Sequence, residues 1–172
     1  GVTACAVCDG FFFRGQTVAL VGAGDTACEE ASYLAKLCPK VYMLVRKNEF
    51  RASKAMVHRV ENTPNIEVLF NTEVKDVLGE HAVDGLIAIN NKTGEERKLD
   101  VTGLFVAIGH KPATDLFKDW LDMDEAGYLK HDADRTSTKV PGVFVAGDAA
   151  DKVYRQAITS AGTGCMAALD AE

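Results

Sequence analysis

The 172-residue sequence predicts an α/β fold: a parallel sheet covered by helices, extended by a small antiparallel meander. Three observations carry that prediction. Short apolar runs recur at residues 17–21, 41–45, 66–70 and 103–109; a glycine-rich turn joins the first run directly to a helix-spaced stretch; and an asparagine–glycine turn at residues 91–94 lies between shorter strand-like segments. Hydrophobic residues form 47% of the chain and charged residues 26%, a balance that excludes a disordered, collagen-like or membrane protein. No stretch approaches the roughly 18 apolar residues of a membrane span.

The elements follow in order. Thr17–Val21 is β-branched and apolar, hence a buried strand. Residues 25–37 place Ala27, Ala31, Leu34 and Ala35 on one helical face, and Val41–Val45 is a second strand. Strand, turn, helix and strand within about 30 residues form a right-handed crossover with parallel strands. Ala52–Glu61 reads as another helix, stopped near Pro64, and Ile66–Phe70 as a third strand. Glu73–Leu78, Val83–Asn90 and Arg97–Val101 form the meander. Gly103–Gly109 is a further buried strand, Pro112 marks a boundary, and 113–140 is polar and irregular. Val143–Asp148 is a last buried strand and Arg155–Asp170 a closing helix.

The net charge of −6 hides an asymmetry. Residues 1–60 hold eight Lys/Arg against five Asp/Glu, while the remainder holds eleven against twenty. Such a chain does not bind nucleic acid, but the basic excess between Lys36 and Arg59 suits a compact anion. Gly22-x-Gly24-x-x-Ala27, with Asp25 and Thr26 inside it, follows a strand and opens a helix. Its first glycine permits the tight turn, its second lets a pyrophosphate approach the backbone, and Ala27 is small enough for close helix–strand packing. The helix N-terminus then offers N–H groups and a positive dipole end to phosphate. An acidic residue at the end of the next strand would accept a ribose 2′-hydroxyl and repel a 2′-phosphate. Arg46, Lys47 and Arg51 occupy that region instead, so the cofactor read here is NADPH rather than NADH.

Cys5-Ala6-Val7-Cys8 has the spacing of a tight, reducible disulfide. Metal binding and inert burial are the alternatives. A structural zinc site needs four ligands, and no second Cys-x-x-Cys or His-x-x-x-His is present, so no metal is assigned. Asp9 is either a turn residue before Gly10 or a proton donor to a departing thiolate or reduced flavin. Cys28, Cys38 and Cys165 read as packing residues, and the four histidines have no role. An odd count of five cysteines in a chain of this length is not a secreted disulfide framework and suits a reducing compartment.

Ala4–Phe12 resembles the redox segment of bacterial-type, low-molecular-weight thioredoxin reductases. Gly22–Ala27 with Glu29-Glu30-Ala31 is similar to their NADPH loop and helix, and Arg46-Lys47-x-x-x-Arg51-Ala52 to their 2′-phosphate cluster. Gly103–His110 resembles their crossing into the FAD domain. Val143–Asp148 and Tyr154–Gly162 are similar to their C-terminal flavin signature. The family's cluster usually begins His-Arg-Arg; Val45-Arg46-Lys47 keeps the charge without the histidine. The family also begins with a glycine-rich FAD loop well upstream of its cysteine pair, so the chain resembles a fragment.

The resemblance implies a Rossmann-like NADPH-binding domain at 1–108, carrying the cysteine pair, and the C-terminal part of an FAD-binding Rossmann-like domain at 109–172. It implies a cytoplasmic, homodimeric parent enzyme in which hydride passes from NADPH to FAD, then to the Cys5–Cys8 disulfide, then to thioredoxin. Cys8 would face the flavin, Cys5 would attack the protein substrate, and Asp9 would handle the proton. Gly147, Asp148, Arg155, Gln156 and Ala157 would bind FAD. The flavoprotein subunit of an alkyl hydroperoxide reductase and a non-catalytic NADPH-binding module are the competing readings. With one glycine-rich turn, the chain alone is expected to hold FAD poorly and to be inactive. Its strands at 103–109 and 142–147 are expected to lack parallel neighbours and to leave apolar faces exposed.

Overall fold

A computed structural model describes residues 1–172. The chain forms two compact units, Gly1–Gly109 and His110–Glu172.

The first unit is built on a five-stranded parallel sheet. Its order is β1 (Val2–Thr3), β8 (Gly103–Val106), β2 (Thr17–Val21), β3 (Lys40–Val45) and β4 (Ile66–Phe70). A second, antiparallel sheet follows the order β5 (Thr72–Leu78), β6 (Gly85–Asn90) and β7 (Glu96–Leu99). Alternation along the strands divides the core into two layers. Val18, Leu20, Val41, Met43, Val45 and Phe105 pack with Ala27, Ala31 and Leu34 of α2 (Asp25–Leu34) and Val60 of α3 (Lys54–Glu61). Ala19, Leu44 and Leu104 pack the opposite way, against Leu86, Ala88 and Leu99. The unit is therefore a helix layer, a parallel sheet and an antiparallel sheet. Each buried Leu, Val or Phe contributes about 1.5–3 kcal/mol to holding them together.

Several boundaries differ from the sequence reading. Helix α2 stops at Leu34 rather than 37: Lys36 and Leu37 turn back to Tyr33 and Leu34 through tighter bonds, and Pro39 disfavours helix in the residue before it. Helix α3 starts at Lys54 rather than 52: Ser53, at ψ 150°, is its non-helical cap residue, and the Arg51 and Ala52 N–H groups donate to Ala23. Strand β8 does not lack parallel neighbours. It is flanked by β1, too short to be seen in the sequence, and by β2.

In the second unit Leu121, Leu129 and Val145 form a small core. Residues 143–148 are not a strand. Phe144 makes one isolated antiparallel bridge with Ser137, Val145 donates to Thr136, and Gly147–Ala149 is a 3-10 turn. An apolar run becomes a strand only where a ladder partner exists, and within this unit only 136–138 pairs with it. Helix α4 (Ala157–Ala171) has no buried residue. Cys165, expected to pack, is exposed. No helix is long and apolar enough to cross a membrane.

Candidate nucleotide and redox site

The glycine turn is locally dictated. Gly22 has φ +156°, and a Cβ there would lie 2.4 Å from the Ala107 carbonyl oxygen and 2.6 Å from Ala27 Cβ. Only glycine fits, and Ala27, fully buried, is the largest neighbour the turn tolerates. A Cβ on Gly24 would meet nothing within 4 Å, so this position is open for a ligand to approach the backbone. Gly24 caps α2, whose first-turn N–H groups have no partners within the helix. Asp25 also has a structural part. Its carboxylate accepts the Ser53 N–H at 3.0 Å and the Ser53 hydroxyl at 2.8 Å, which hold it below its ordinary carboxylate range. With the Arg51 and Ala52 N–H bonds to Ala23 at 2.8 and 3.1 Å, this stitches residues 51–53 to the turn. Thr26 is exposed on the first turn of α2.

Beside the turn is an open pocket of about 430 Å³, which Gly22, Ala23, Arg46, Lys47 and Arg51 all line. The sequence-predicted turn and basic cluster thus come together. Glu49 and Glu73 also line it and offset part of the positive charge; neither was read from the sequence. Nor was the frame behind the cluster. The Asn91 side-chain amide donates to the Arg46 carbonyl at 2.8 Å and to Glu73 at 3.1 Å. Asn71, at φ +52°, donates its N–H to the Lys47 carbonyl at 3.0 Å. These bonds fix the backbone while the Arg46 and Lys47 side chains remain exposed. Open Gly24, the α2 N-terminus and three adjacent cations fit a dinucleotide bearing an extra phosphate.

Cys5 and Cys8 are joined as a disulfide, with Cα atoms 5.3 Å apart. Cys5 caps the short helix α1 (Ala6–Asp9), and its sulfur accepts the Cys8 N–H at 3.2 Å. Ala6 is fully buried. Asp9 closes α1 and accepts a hydrogen bond from the Thr3 hydroxyl. Gly10 lies against α2, where a Cβ would come 3.1 Å from both Leu34 and Tyr33. Phe13 stacks edge-on against Phe105 at 5.3 Å, over Gly103, where any Cβ would strike its ring. Phe11 and Phe12, between these anchors, are 62% and 75% exposed. Cys28 and Cys38 are buried as expected, and burial pushes the Cys28 thiol up to about 11 and Cys38 upward as well.

The second unit gathers the other predicted residues around the start of α4. Gly147, at φ +68°, donates its N–H to the Thr163 hydroxyl at 3.0 Å. Asp148 accepts the Ser160 hydroxyl at 2.9 Å. Gln156 caps α4 in a reciprocal arrangement with Thr159, and Ala157 is its first residue. Arg155 adopts φ +48° and reaches the Tyr128 hydroxyl at 3.4 Å. Asp151, not predicted, organises this loop by accepting N–H groups from Val153, Tyr154 and Arg155 and the Thr159 hydroxyl. Burial pushes its pKa up, but those four bonds outweigh burial and hold it below the ordinary value.

Known proteins resemble the chain over its length. The chain is 52% identical to a thioredoxin reductase of Streptomyces clavuligerus, over its whole length and 53% of that protein. It is 53% identical to the mitochondrial thioredoxin reductase 2 of Saccharomyces cerevisiae, covering 51% of it. It spans about half the length of the curated relatives it matches. Among solved structures, the thioredoxin reductase of Streptococcus pyogenes superimposes with a TM-score of 0.91 at 35% identity, covering 99% of this chain and 56% of that one. That of Giardia duodenalis does so with 0.85 at 46% identity and the same coverage. Residues 1–164 match the pyridine nucleotide-disulphide oxidoreductase model, and the chain belongs to that family.

Proposed function

We propose that the chain carries the NADPH-reading and disulfide-bearing parts of an NADPH-dependent thioredoxin-disulfide reductase. The observation that carries this reading is the coexistence, in one folded unit, of the Cys5–Cys8 disulfide and a glycine turn beside Arg46, Lys47 and Arg51. Residues 1–108 are the NADPH-binding domain and 109–172 the C-terminal part of an FAD-binding domain. The parent works as a homodimer in the cytoplasm.

When bound, NADPH supplies a hydride and FAD converts that hydride chemistry into thiol chemistry. The protein's part is placement. Gly22–Ala27 and the positive end of α2 receive the pyrophosphate, and the three cations receive the 2′-phosphate. Gly147, Asp148, Arg155, Gln156 and Ala157 hold FAD around the start of α4. Reduction breaks the Cys5–Cys8 bond and takes up two electrons and two protons. Asp9, next to Cys8, holds one of those protons. A thiolate of the pair then attacks the thioredoxin disulfide. The other pair cysteine resolves the mixed disulfide, restoring Cys5–Cys8 and releasing the thioredoxin dithiol. Exposed Phe11 and Phe12 give the approaching partner an apolar surface.

Two measurements on the chain test this. Calorimetric titration should show NADPH binding much tighter than NADH. The chemically reduced chain, freed of reductant, should transfer its thiols to oxidised thioredoxin. Equal cofactor affinities, or no exchange with thioredoxin, would overturn the reading.

A further inference from the structure

Two acids and three cations line the pocket beside the glycine turn, yet none of them is ion-paired. The eight ion pairs of the chain all lie elsewhere. The Glu73 carboxylate has a neutral partner instead: it accepts from the side-chain amide of Asn91 at 3.1 Å. The same amide nitrogen donates to the Arg46 carbonyl at 2.8 Å. An amide nitrogen carries two hydrogens, and here both go to residues of the pocket wall. Asn91 does not line the pocket itself. Its own place is fixed by the turn between β6 and β7. There the Asn90 side-chain oxygen accepts the Lys92 and Thr93 N–H groups at 2.9 and 3.1 Å, and the Gly94 N–H returns to the Asn90 carbonyl at 2.8 Å. The Asn91 N–H donates to the Asn71 carbonyl at 2.8 Å, and the Asn71 N–H to the Lys47 carbonyl at 3.0 Å. A chain of hydrogen bonds from this turn thus reaches the carbonyls of both Arg46 and Lys47. The glycine turn is fastened separately, by the bonds of Ala23 and Asp25 to residues 51–53.

We infer that Asn91 is a positioning residue that sets the preference for a nucleotide bearing a 2′-phosphate: one of its N–H groups fixes the backbone of Arg46, and the other restrains the Glu73 carboxylate. This role rests on reading Arg46, Lys47 and Arg51 as the receivers of that phosphate. A guanidinium on a fixed backbone loses less freedom when it closes on a phosphate. A phosphate carries about −1.5 to −2 charge at pH 7, so a carboxylate free to swing in the same pocket repels it and competes for its cations. Asn91 acts on both terms without touching the nucleotide. Because the glycine turn has its own fastenings, the end of the nucleotide that carries the 5′-phosphate does not depend on Asn91.

The test is calorimetric titration of the chain with two probes, adenosine 5′-monophosphate and adenosine 2′,5′-bisphosphate, which differ only by the 2′-phosphate. The wild type should bind the bisphosphate at least about tenfold tighter. In Asn91→Ala that preference should shrink at least about threefold, while affinity for the monophosphate changes less than about twofold. Asn91→Ser is neutral and suits the same turn, but its short side chain has a single donor; it should shrink the preference as well, and it decides the role if circular dichroism shows that Asn91→Ala does not fold. In a Glu73→Gln background no carboxylate is left to free, so the Asn91→Ala penalty should fall to about half or less. An unchanged preference, or equal losses with both probes, overturns the positioning role. A full penalty in the Glu73→Gln background overturns the part assigned to Glu73. A wild type that binds the two probes equally overturns the reading of the cation cluster instead, and the inference with it.

Discussion

Alanine at Gly22 and alanine at Gly24 should have opposite consequences, although the two positions are only two residues apart. At Gly22 the new Cβ meets the Ala107 carbonyl and Ala27 Cβ, both closer than any real contact, on a backbone at φ +156°. A side chain in that conformation costs about 1–3 kcal/mol. Forcing a methyl into a packed junction costs about 1–3 kcal/mol more. The stiffer unfolded chain returns about 0.4–1 kcal/mol. The net loss should be about 2–4 kcal/mol, enough to lower the melting temperature of a unit of this size by about 10 °C or more. At Gly24 the backbone is extended, at φ −91°, and the Cβ points into open space. Gly24→Ala should therefore unfold within about 0.5 kcal/mol of the wild type. Its methyl, however, stands where a pyrophosphate needs the bare backbone, and NADPH affinity should drop at least about tenfold. Far-UV circular dichroism with urea measures the first quantity, and calorimetric titration the second. A Gly22→Ala chain as stable as the wild type would refute the packing argument. A Gly24→Ala chain that binds NADPH normally would refute the placement of the phosphates.

Further outcomes follow from other residues. Arg46→Ala and Arg51→Ala should each weaken NADPH about tenfold or more while leaving NADH almost unchanged, since a charged hydrogen bond to the 2′-phosphate is lost in one case only; equal losses in titration would contradict this. In the reduced native chain at pH 8, Cys5, Cys8 and Cys165 should alkylate within minutes, whereas Cys28 and Cys38 should wait for denaturant, because burial keeps their thiols protonated. Asp170 accepts the Thr136 N–H at 2.8 Å and its hydroxyl at 2.7 Å, bonds that hold its pKa below 3.8. A lowered carboxylate stabilises the fold above its unfolded pKa and loses that contribution as pH falls through the folded value. The end of α4 should thus loosen only below about pH 4, and in Asp170→Asn it should be loose already at neutral pH, as amide exchange at residues 136 and 167–171 would show. Added FAD should bind this chain far more weakly than NADPH, which flavin fluorescence after soaking and desalting would record.

The part of the fold that the sequence disclosed is the part whose cause is periodic. Residues 17–21 and 41–45 announce their strands as short apolar runs on either side of a helix-spaced stretch, and Gly22 and Ala27 announce the turn by size. The misread elements depend on partners remote in sequence. Residues 143–148 look like a strand in composition, but hydrogen-bonding geometry needs a neighbour that this unit does not supply. Cys165 looks like packing because Ala161, Met166 and Ala167 surround it along the helix, yet no residue of that helix is buried. Within the site, Arg46, Lys47 and Arg51 were legible from charge at a strand end. Asp25 was assigned to the cofactor because it lies within the turn, and only the fold shows Ser53, 28 residues on, taking up its carboxylate.

Helix α2 starts at the cap residue Gly24 and sets Leu34, ten residues later, against Gly10, a rise of about 15 Å at 1.5 Å per residue. The glycine turn and the disulfide-bearing segment are thereby moored to one rod, less than three helical turns apart. A rod of ten hydrogen-bonded residues does not shorten or stretch under the forces of ligand binding. The spacing between the glycine turn and the disulfide-bearing segment is therefore set by the length of α2.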